Sequence, residues 1–555
     1  MEIATTDPRG STSAGTVLDR WTGWLASGPV LWALVTLGAA LRIANYAANR
    51  SLWADEASLA YNIIGRSFGE LARPLDLAQV APLGFLWLER GAVVLFGPSE
   101  YALRLVPLLA SLAALALAVP LARRTLEGLA VPFAVALFAI SNPLLYYSGE
   151  TKQYALDVAA TMGLALLTLV AREDDPRRPR RLLALGIAGA LAPWFSQPSV
   201  FVLGGAGLYL LAPVLRTRRW RGLRPLALPV ALWALGATAA TIHSFHAIPP
   251  LTRSRLDFFW APAFLPLRDG LFATVRWLSH ALVAEMAWLF SPSVTMLALA
   301  LVVLGAAALA RRRDGSAMLV LAPVVLGLLA SALRLYPFAT RLTLVFAPLF
   351  IVIVSAAAGW LLALAGRRVL FQGLAMSLMG ALGAAGVLDL RALPFAREEL
   401  RPVLEYVAAH RRPGDVIYVY YGASRAMRYY APRVGLQDSS YELAPCLSGD
   451  WHDYLTALDA RRGTRRFWLV LSHPFNKGGV REDSLFTGYL EHIGRRIDGI
   501  ERPGALAELY DLSDTTRART GSEHFALPTS HDSSAAYQRC FSWSVEHPPL
   551  PTPGS

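Results

Sequence analysis

The chain has 555 residues, of which 54% are apolar and 17% charged, against about 25% charged in soluble domains. With a mean hydropathy of +0.40, this excludes an ordinary soluble enzyme and points to a membrane protein. The net charge of +12 comes almost wholly from arginine, since Lys152 and Lys477 are the only lysines; where the charge lies decides its meaning. Two cysteines, Cys446 and Cys540, exclude a disulfide-built small domain and a four-thiolate zinc site.

Residues 1–28 are polar, without the short apolar core of a cleavable signal, and read as a cytoplasmic segment. Apolar runs long enough to span a bilayer, roughly 20 residues each, then recur as far as Leu388. They fall near 29–47, 101–122, 129–146, 153–171, 182–197, 199–215, 225–244, 293–310, 317–333, 342–365 and 369–388. Two further runs, 81–97 and 271–290, carry Glu89 and Arg276, His280 and Glu285, and read as amphipathic.

Arginine-rich short loops belong on the cytoplasmic side. The clusters are Arg123-Arg124, the stretches Arg172 to Arg181 and Arg216 to Arg224, Arg311-Arg312-Arg313, and Arg367-Arg368. If 81–97 and 271–290 lie along the outer interface, every cluster falls inside. The expectation is eleven spans plus interfacial helices, with the N-terminus inside and everything after Leu388 outside. Most of the positive charge then anchors loops, and nucleic acid is not an expected partner.

Three outer loops carry residues suited to chemistry. Residues 48–80 contain Leu52-Trp53-Ala54-Asp55-Glu56-Ala57, adjacent carboxylates behind a tryptophan suited to the headgroup level. Such a carboxylate can act as a general base towards a hydroxyl. Tyr146-Tyr147-Ser148-Gly149-Glu150-Thr151-Lys152-Gln153-Tyr154, with Asp157 following, joins the third and fourth spans. Spacings of four and three predict Glu150, Tyr154 and Asp157 on one helical face. Arg334-Leu335-Tyr336-Pro337-Phe338-Ala339-Thr340-Arg341 breaks the charge rule on the outer side. Guanidinium forks bind phosphate bidentately, so Arg341 and Arg334, with Tyr336 and Lys152, are candidates to hold one. His243, Arg253 and Arg255 are added substrate-lining candidates from the long outer segment 243–270.

From Pro394 helical and strand patterns alternate: a helix 398–411, a strand 415–421, helices 423–430 and 454–461, a strand 466–471, a helix 485–493 and a strand 506–512. Residues 394–515 therefore read as a small outer α/β domain, after a membrane domain 29–390, and residues 516–555 as a poorly ordered tail. On the outer, oxidising side Cys446 and Cys540 are a candidate disulfide.

The chain resembles the GT-C glycosyltransferases that use polyprenyl-phosphate sugars, the group around protein O-mannosyltransferases, the aminoarabinose transferase acting on lipid A, and RgtA-to-D-like transferases. The resemblance rests on Trp53-Ala54-Asp55-Glu56-Ala57, on Ala81-Pro82-Leu83-Gly84-Phe85 running to Phe96-Gly97-Pro98-Ser99-Glu100 and on to Arg104 and Pro107, on Tyr146 to Tyr154, and on Tyr336 to Arg341. It implies an inverting transfer at the outer face of a bacterial inner membrane, from a polyprenyl-phosphate sugar to a lipid, glycan or protein acceptor. By the same resemblance Asp55 is the base, Glu56 its acidic neighbour, Glu150 a second acid lining the site, and Arg341, with Arg334, the phosphate holder. Residues 81–97 become the juxtamembrane helix of the first loop. Many relatives have Pro-Pro where this chain has Ala81-Pro82, and Gln-Glu-Ala-Arg where it has Gly149-Glu150-Thr151-Lys152.

The donor sugar is already activated, so no cofactor is expected; no phosphate-binding glycine loop of the Walker type occurs, and one Asp-Glu pair makes a weak case for a divalent metal. The rival class is a polytopic transporter or lipid flippase. Transporters place ionisable groups near the bilayer midplane within repeated halves, whereas here they gather at the outer ends and no repeat is found.

Overall fold

The computed structural model describes residues 23–517 except 313, 366–367, 447–450 and 478–479. Cys540, the expected tail from 518 onward and residues 1–22 of the N-terminal segment lie outside the described residues; Cys446 is not free.

The membrane part is helical throughout. Among the described residues, eight helices are long and apolar enough to cross a bilayer, or nine when the bent pair Ala130–Ile140 and Asn142–Gly149 counts as one. Arg178–Phe195 and the shorter Ser316–Ala332 occupy the two remaining expected positions. The bend of 49° falls at Ser141, whose backbone is not helical, just ahead of Pro143. Proline lacks the donor that would continue the ladder and disfavours helical geometry before it. The bend delivers residues 147–153 to the first outer loop.

Helix Gly28–Ala47 is tied in by Arg42, which is wholly buried. Its guanidinium donates to Ser111 Oγ at 2.8 Å and to the carbonyls of Gly38, Ala139 and Phe138 at 3.0, 3.2 and 3.2 Å. An intramembrane charge is tolerated only with such partners, and these join three helices. Small residues let backbones touch at other crossings. A Cβ on Gly305 would stand 1.9 Å from the Ile353 carbonyl oxygen, and one on Gly236 2.1 Å from that of Ala190.

Neither amphipathic run is among the candidate spans. Helix Leu83–Phe96 buries Glu89 but exposes Trp87, Leu88, Val94, Leu95 and Phe96; helix Leu271–Phe290 buries Glu285 but exposes Leu271 and Phe272. The first has the one-sided apolar surface of a helix lying in an interface, while the exposed positions of the second mix Leu271, Phe272 and Val275 with Arg276, Ser279 and His280.

In the C-terminal part strands β1 (Val416–Val419), β2 (Glu442–Leu443), β3 (Phe467–Ser472), β4 (Asn476–Lys477), β5 (Val480–Arg481), β6 (Arg495–Arg502) and β7 (Ala505–Asp511) follow in chain order. Five form a sheet ordered β2-β1-β3-β7-β6, parallel at β2-β1-β3 and antiparallel at β3-β7-β6, while β4 and β5 pair apart. Helices Leu400–His410, Ser424–Tyr430, Trp451–Asp459 and Glu482–Ile493 accompany them. The expected elements all occur within a few residues. The unexpected strands are the two-residue β2, β4 and β5, too short to carry a period, and β6, where Arg-Arg-Ile-Asp-Gly-Ile-Glu-Arg is a half-exposed edge without apolar alternation.

This sheet unit shares one core with the first outer loop. Leu52, Ala57, Leu59, Ile63, Phe85 and Leu86 pack with Leu400, Val403, Met427, Tyr430 and Trp468. The loop itself holds an unforeseen helix, Ala54–Gly65, lying against Ser424–Tyr430.

Replacing Gly305 by alanine must push helices Thr295–Arg311 and Ala347–Ala365 apart, and overpacking of this kind costs about 1–3 kcal/mol. The expected result is a lower melting temperature of the detergent-solubilised protein, with Gly128→Ala, in open space but at positive φ, losing less.

Candidate active site

Asp55 sits in the first turn of helix Ala54–Gly65. Its Oδ2 meets Arg341 Nη1 at 2.7 Å and its Oδ1 meets Lys152 Nζ at 3.1 Å. Gln79 closes the cluster: its Nε2 donates to Asp55 Oδ1 at 3.2 Å, and its Oε1 accepts from Lys152 at 2.7 Å. Residues more than 250 positions apart in the chain thus form one compact group of charges. Arg341 enters from the turn Thr340–Phe346, its guanidinium carbon 6.0, 5.9 and 5.7 Å from the rings of Trp53, Tyr154 and Trp260, within cation–π range.

Glu150 is wholly buried. Its Oε1 accepts from the Trp53 indole N–H at 3.2 Å, and its Oε2 has no partner. Its backbone is extended and the helix begins only at Tyr154, so Glu150 does not share a helical face with Tyr154 and Asp157. Burial, helped by Glu56 and Asp55 and opposed by Arg50 and Arg341, pushes its carboxyl up to about 7. For Asp55 burial acts upward too, but Lys152 and Arg341 outweigh it and hold the carboxyl far below the usual range. Burial lowers the Lys152 ammonium despite Asp55. The site therefore pairs one carboxylate that stays ionised with one carboxyl that titrates near neutrality, an arrangement typical of reacting centres.

Glu56 is paired with Arg104, whose Nε and Nη2 reach its oxygens at 3.0 and 2.7 Å, and it accepts the Thr151 amide at 2.8 Å. Both side chains are almost wholly buried. Glu89, behind Glu56, has neither oxygen bonded; burial first and Glu56 second raise its carboxyl well above the ordinary value.

Several expected residues stand elsewhere. Arg334 is exposed, with its guanidinium over Phe264 at 4.8 Å; its positive φ of 56° directs the turn but does not bring it to Asp55. Arg253 and Arg255 lie on helix Pro250–Phe259, where Arg253 stacks on Phe245 at 3.9 Å and donates to its carbonyl. His243 lies beside Trp194 at 5.7 Å. Tyr336 donates its hydroxyl to the Leu342 carbonyl at 2.8 Å, which braces the Arg341 turn. Asp157 is buried at the start of its helix.

Gln79, Arg397, Glu398 and His473 escaped sequence reading. Gln79 sits among polar loop residues without periodicity, and the other three belong to the C-terminal part, whose return to this loop no local pattern encodes. Arg397 covers the Trp53 ring at 3.6 Å. Among the described residues no group of three or more acidic, His or Cys side chains is arranged to hold a metal ion.

Residues 80–242, less than half of the chain, match the family model of dolichyl-phosphate-mannose-protein mannosyltransferases. No curated protein matches. Among solved structures, the chain is similar to ArnT from Cupriavidus metallidurans bound to undecaprenyl phosphate, at 14% identity, 88% of this chain, 98% of that one and a TM-score of 0.43. It is also similar to the oligosaccharyltransferase of Archaeoglobus fulgidus in the apo form, at 11% identity, 80% and 69% coverage and a TM-score of 0.47. The family match bears out the resemblance to membrane glycosyltransferases, and with it the glycosyltransferase class, over the stretch that contains Glu150 and Lys152.

An acid raised on folding binds its proton more tightly in the native state, so it makes stability fall as pH climbs from the unfolded value towards the folded one. Between about 4.5 and about 7, Glu150 contributes such a loss, on the order of 3 kcal/mol at most. Glu150→Gln should flatten the dependence of melting temperature on pH across that window; an unchanged slope would show that another group is responsible.

Proposed function

We propose that the chain transfers a sugar from a polyprenyl-phosphate donor to an acceptor hydroxyl, with inversion, at the outer face of a bacterial inner membrane. The observation that carries this reading is the cluster of Asp55, Arg341 and Lys152, with Asp55 2.7 and 3.1 Å from the two cations. Two partly buried cations at the mouth of a helical bundle suit a lipid phosphate, and the carboxylate between them suits the attacking hydroxyl.

The chemistry follows from these groups. The acceptor oxygen attacks the anomeric carbon and its proton passes to Asp55; the bond from that carbon to the phosphate oxygen breaks, and the electron pair leaves with the polyprenyl phosphate. Arg341 and Lys152 neutralise the charge that gathers on the departing phosphate. Without donor the same cations hold Asp55 far below the usual carboxylate range. A bound donor phosphate shares them, and Asp55 regains basicity when the donor is in place. Glu150, reached through Trp53, adjusts the charge of the cluster. The domain reading places residues 29–390 as the catalytic membrane unit and 394–515 on the outer side, with the N-terminus cytoplasmic. Lipid, glycan or protein is the acceptor, and no cofactor is needed.

Purified protein in lipid, offered a panel of polyprenyl-phosphate sugars, should consume one of them. Asp55→Asn should lower turnover by roughly two to four orders of magnitude, and full activity in that variant would remove Asp55 as the base. Arg341→Ala should lower turnover by roughly 10²–10³. A lipid moved across the bilayer without loss of its sugar would support the transporter class instead.

A further inference from the structure

Helix Ala54–Gly65 starts at Trp53, whose side chain offers no cap to the first turn. The leading amides of a helix need acceptors, and the Ala54 amide finds Glu398 Oε2 at 3.0 Å, 344 positions along the chain. Glu398 is buried, and its Oε1 lies 2.7 Å from His473 Nδ1. His473 follows the carboxyl end of β3 with a φ of 56°, and its ring stacks on Trp53 with centroids 6.2 Å apart. Trp53 in turn donates to Glu150 and carries Arg397 on its ring. Nearby, Glu399 accepts the Ser51 amide and hydroxyl at 3.2 and 3.0 Å, and Tyr430 accepts the Leu52 amide at 2.6 Å.

Both acids of the site are therefore held from the C-terminal part. Asp55 follows the capped residue directly, and Glu150 hangs from the tryptophan that His473 and Arg397 hold between them. A carboxylate at a helix N-terminus also meets the positive end of the helix dipole. We propose that Glu398 and His473 are positioning residues for the transfer reaction: the C-terminal sheet unit fixes Asp55 by capping its helix from a distance and fixes Glu150 through Trp53. Resting on the transferase reading above, the proposal makes this unit part of the catalytic machinery and not only a cover for it.

The test compares Glu398→Ala, Glu398→Gln and His473→Ala with the unaltered full chain in lipid nanodiscs. Amide hydrogen exchange is followed over residues 51–60, and undecaprenyl phosphate serves as the binding probe. In Glu398→Ala the amides of residues 54–58 should exchange about tenfold faster, the expected loss for a missing cap, while the affinity for undecaprenyl phosphate stays within about threefold. Turnover of the donor found in the panel should fall at least about tenfold with its KM little changed, the pattern of an interaction needed in the transition state. Glu398→Gln, which keeps an oxygen for the Ala54 amide, should restore both exchange and turnover. His473→Ala, at a half-buried ring, should fall between the two and serves if Glu398→Ala does not fold.

Unaltered exchange at 54–58 in Glu398→Ala and His473→Ala would overturn the proposal, as would a lower melting temperature with normal turnover per folded molecule. The outcomes separate from those of the function itself. An active Asp55→Asn removes the base assignment whatever Glu398 does; an inactive Asp55→Asn beside a fully active Glu398→Ala removes only the positioning role.

Discussion

The pairing of Glu56 with Arg104 is the contact on which the end of the helical bundle that bears Asp55 depends. Each charge would be prohibitive alone in a site so withdrawn from water, and together they are acceptable only because further hydrogen bonds satisfy them. Those bonds draw in the surroundings: Arg104 also donates to the backbone carbonyls of Arg50 and Ser51, and Glu56 accepts the Thr151 amide. One ion pair thereby joins the helix that bears Asp55, the span Glu100–Thr125 and the loop that bears Glu150 and Lys152. Removing either partner would strand a buried charge, and the pair holds the segments that bear Asp55, Glu150 and Lys152 against one another.

Around it, charge and aromatic surface are shared between parts distant in the chain. Arg50 donates to the Gly149 carbonyl at 2.7 Å and to that of Phe395, also at 2.7 Å, while Arg401 joins Glu100 at 2.8 Å. The first outer loop is consequently held on one side by the membrane helices and on the other by the sheet unit. Preorganisation of this kind suits electrostatic catalysis, since charges fixed before the reaction need not be rearranged during it.

Asp55 is bonded to both neighbouring cations, the groups that the proposed donor phosphate would share. In that proposal, competition for them couples the basicity of Asp55 to donor binding. Lys152, bonded at once to Asp55 and to Gln79, is a single-point donor, in contrast to the forked guanidinium of Arg341.

Sequence alone carried the membrane class, the positions of the eleven expected helices and the choice of Asp55, Glu150, Lys152 and Arg341 as candidates. Hydropathy and loop charge are local, and each of those residues is anomalous in its own window: an acid pair behind a tryptophan, a lone lysine, an arginine on the wrong side of the charge pattern. It also marked Arg334, Arg253 and His243 by the same kind of anomaly, and the structure gives these ordinary partners in nearby aromatic rings. Which of these anomalies meet is a matter of tertiary structure. Glu56 and Asp55 are adjacent, yet the rotation of about 100° between successive helical residues points them to different surroundings, one to Arg104 and one to Arg341. Glu398 and His473 lie in an unremarkable α/β stretch, and reach Ala54 and Trp53 because the apolar surface buried between Leu52, Ala57 and Phe85 on one side and Leu400, Val403 and Trp468 on the other brings the sheet unit back to this loop. Burial of that surface is a property of the folded whole, with no periodicity or motif to announce it.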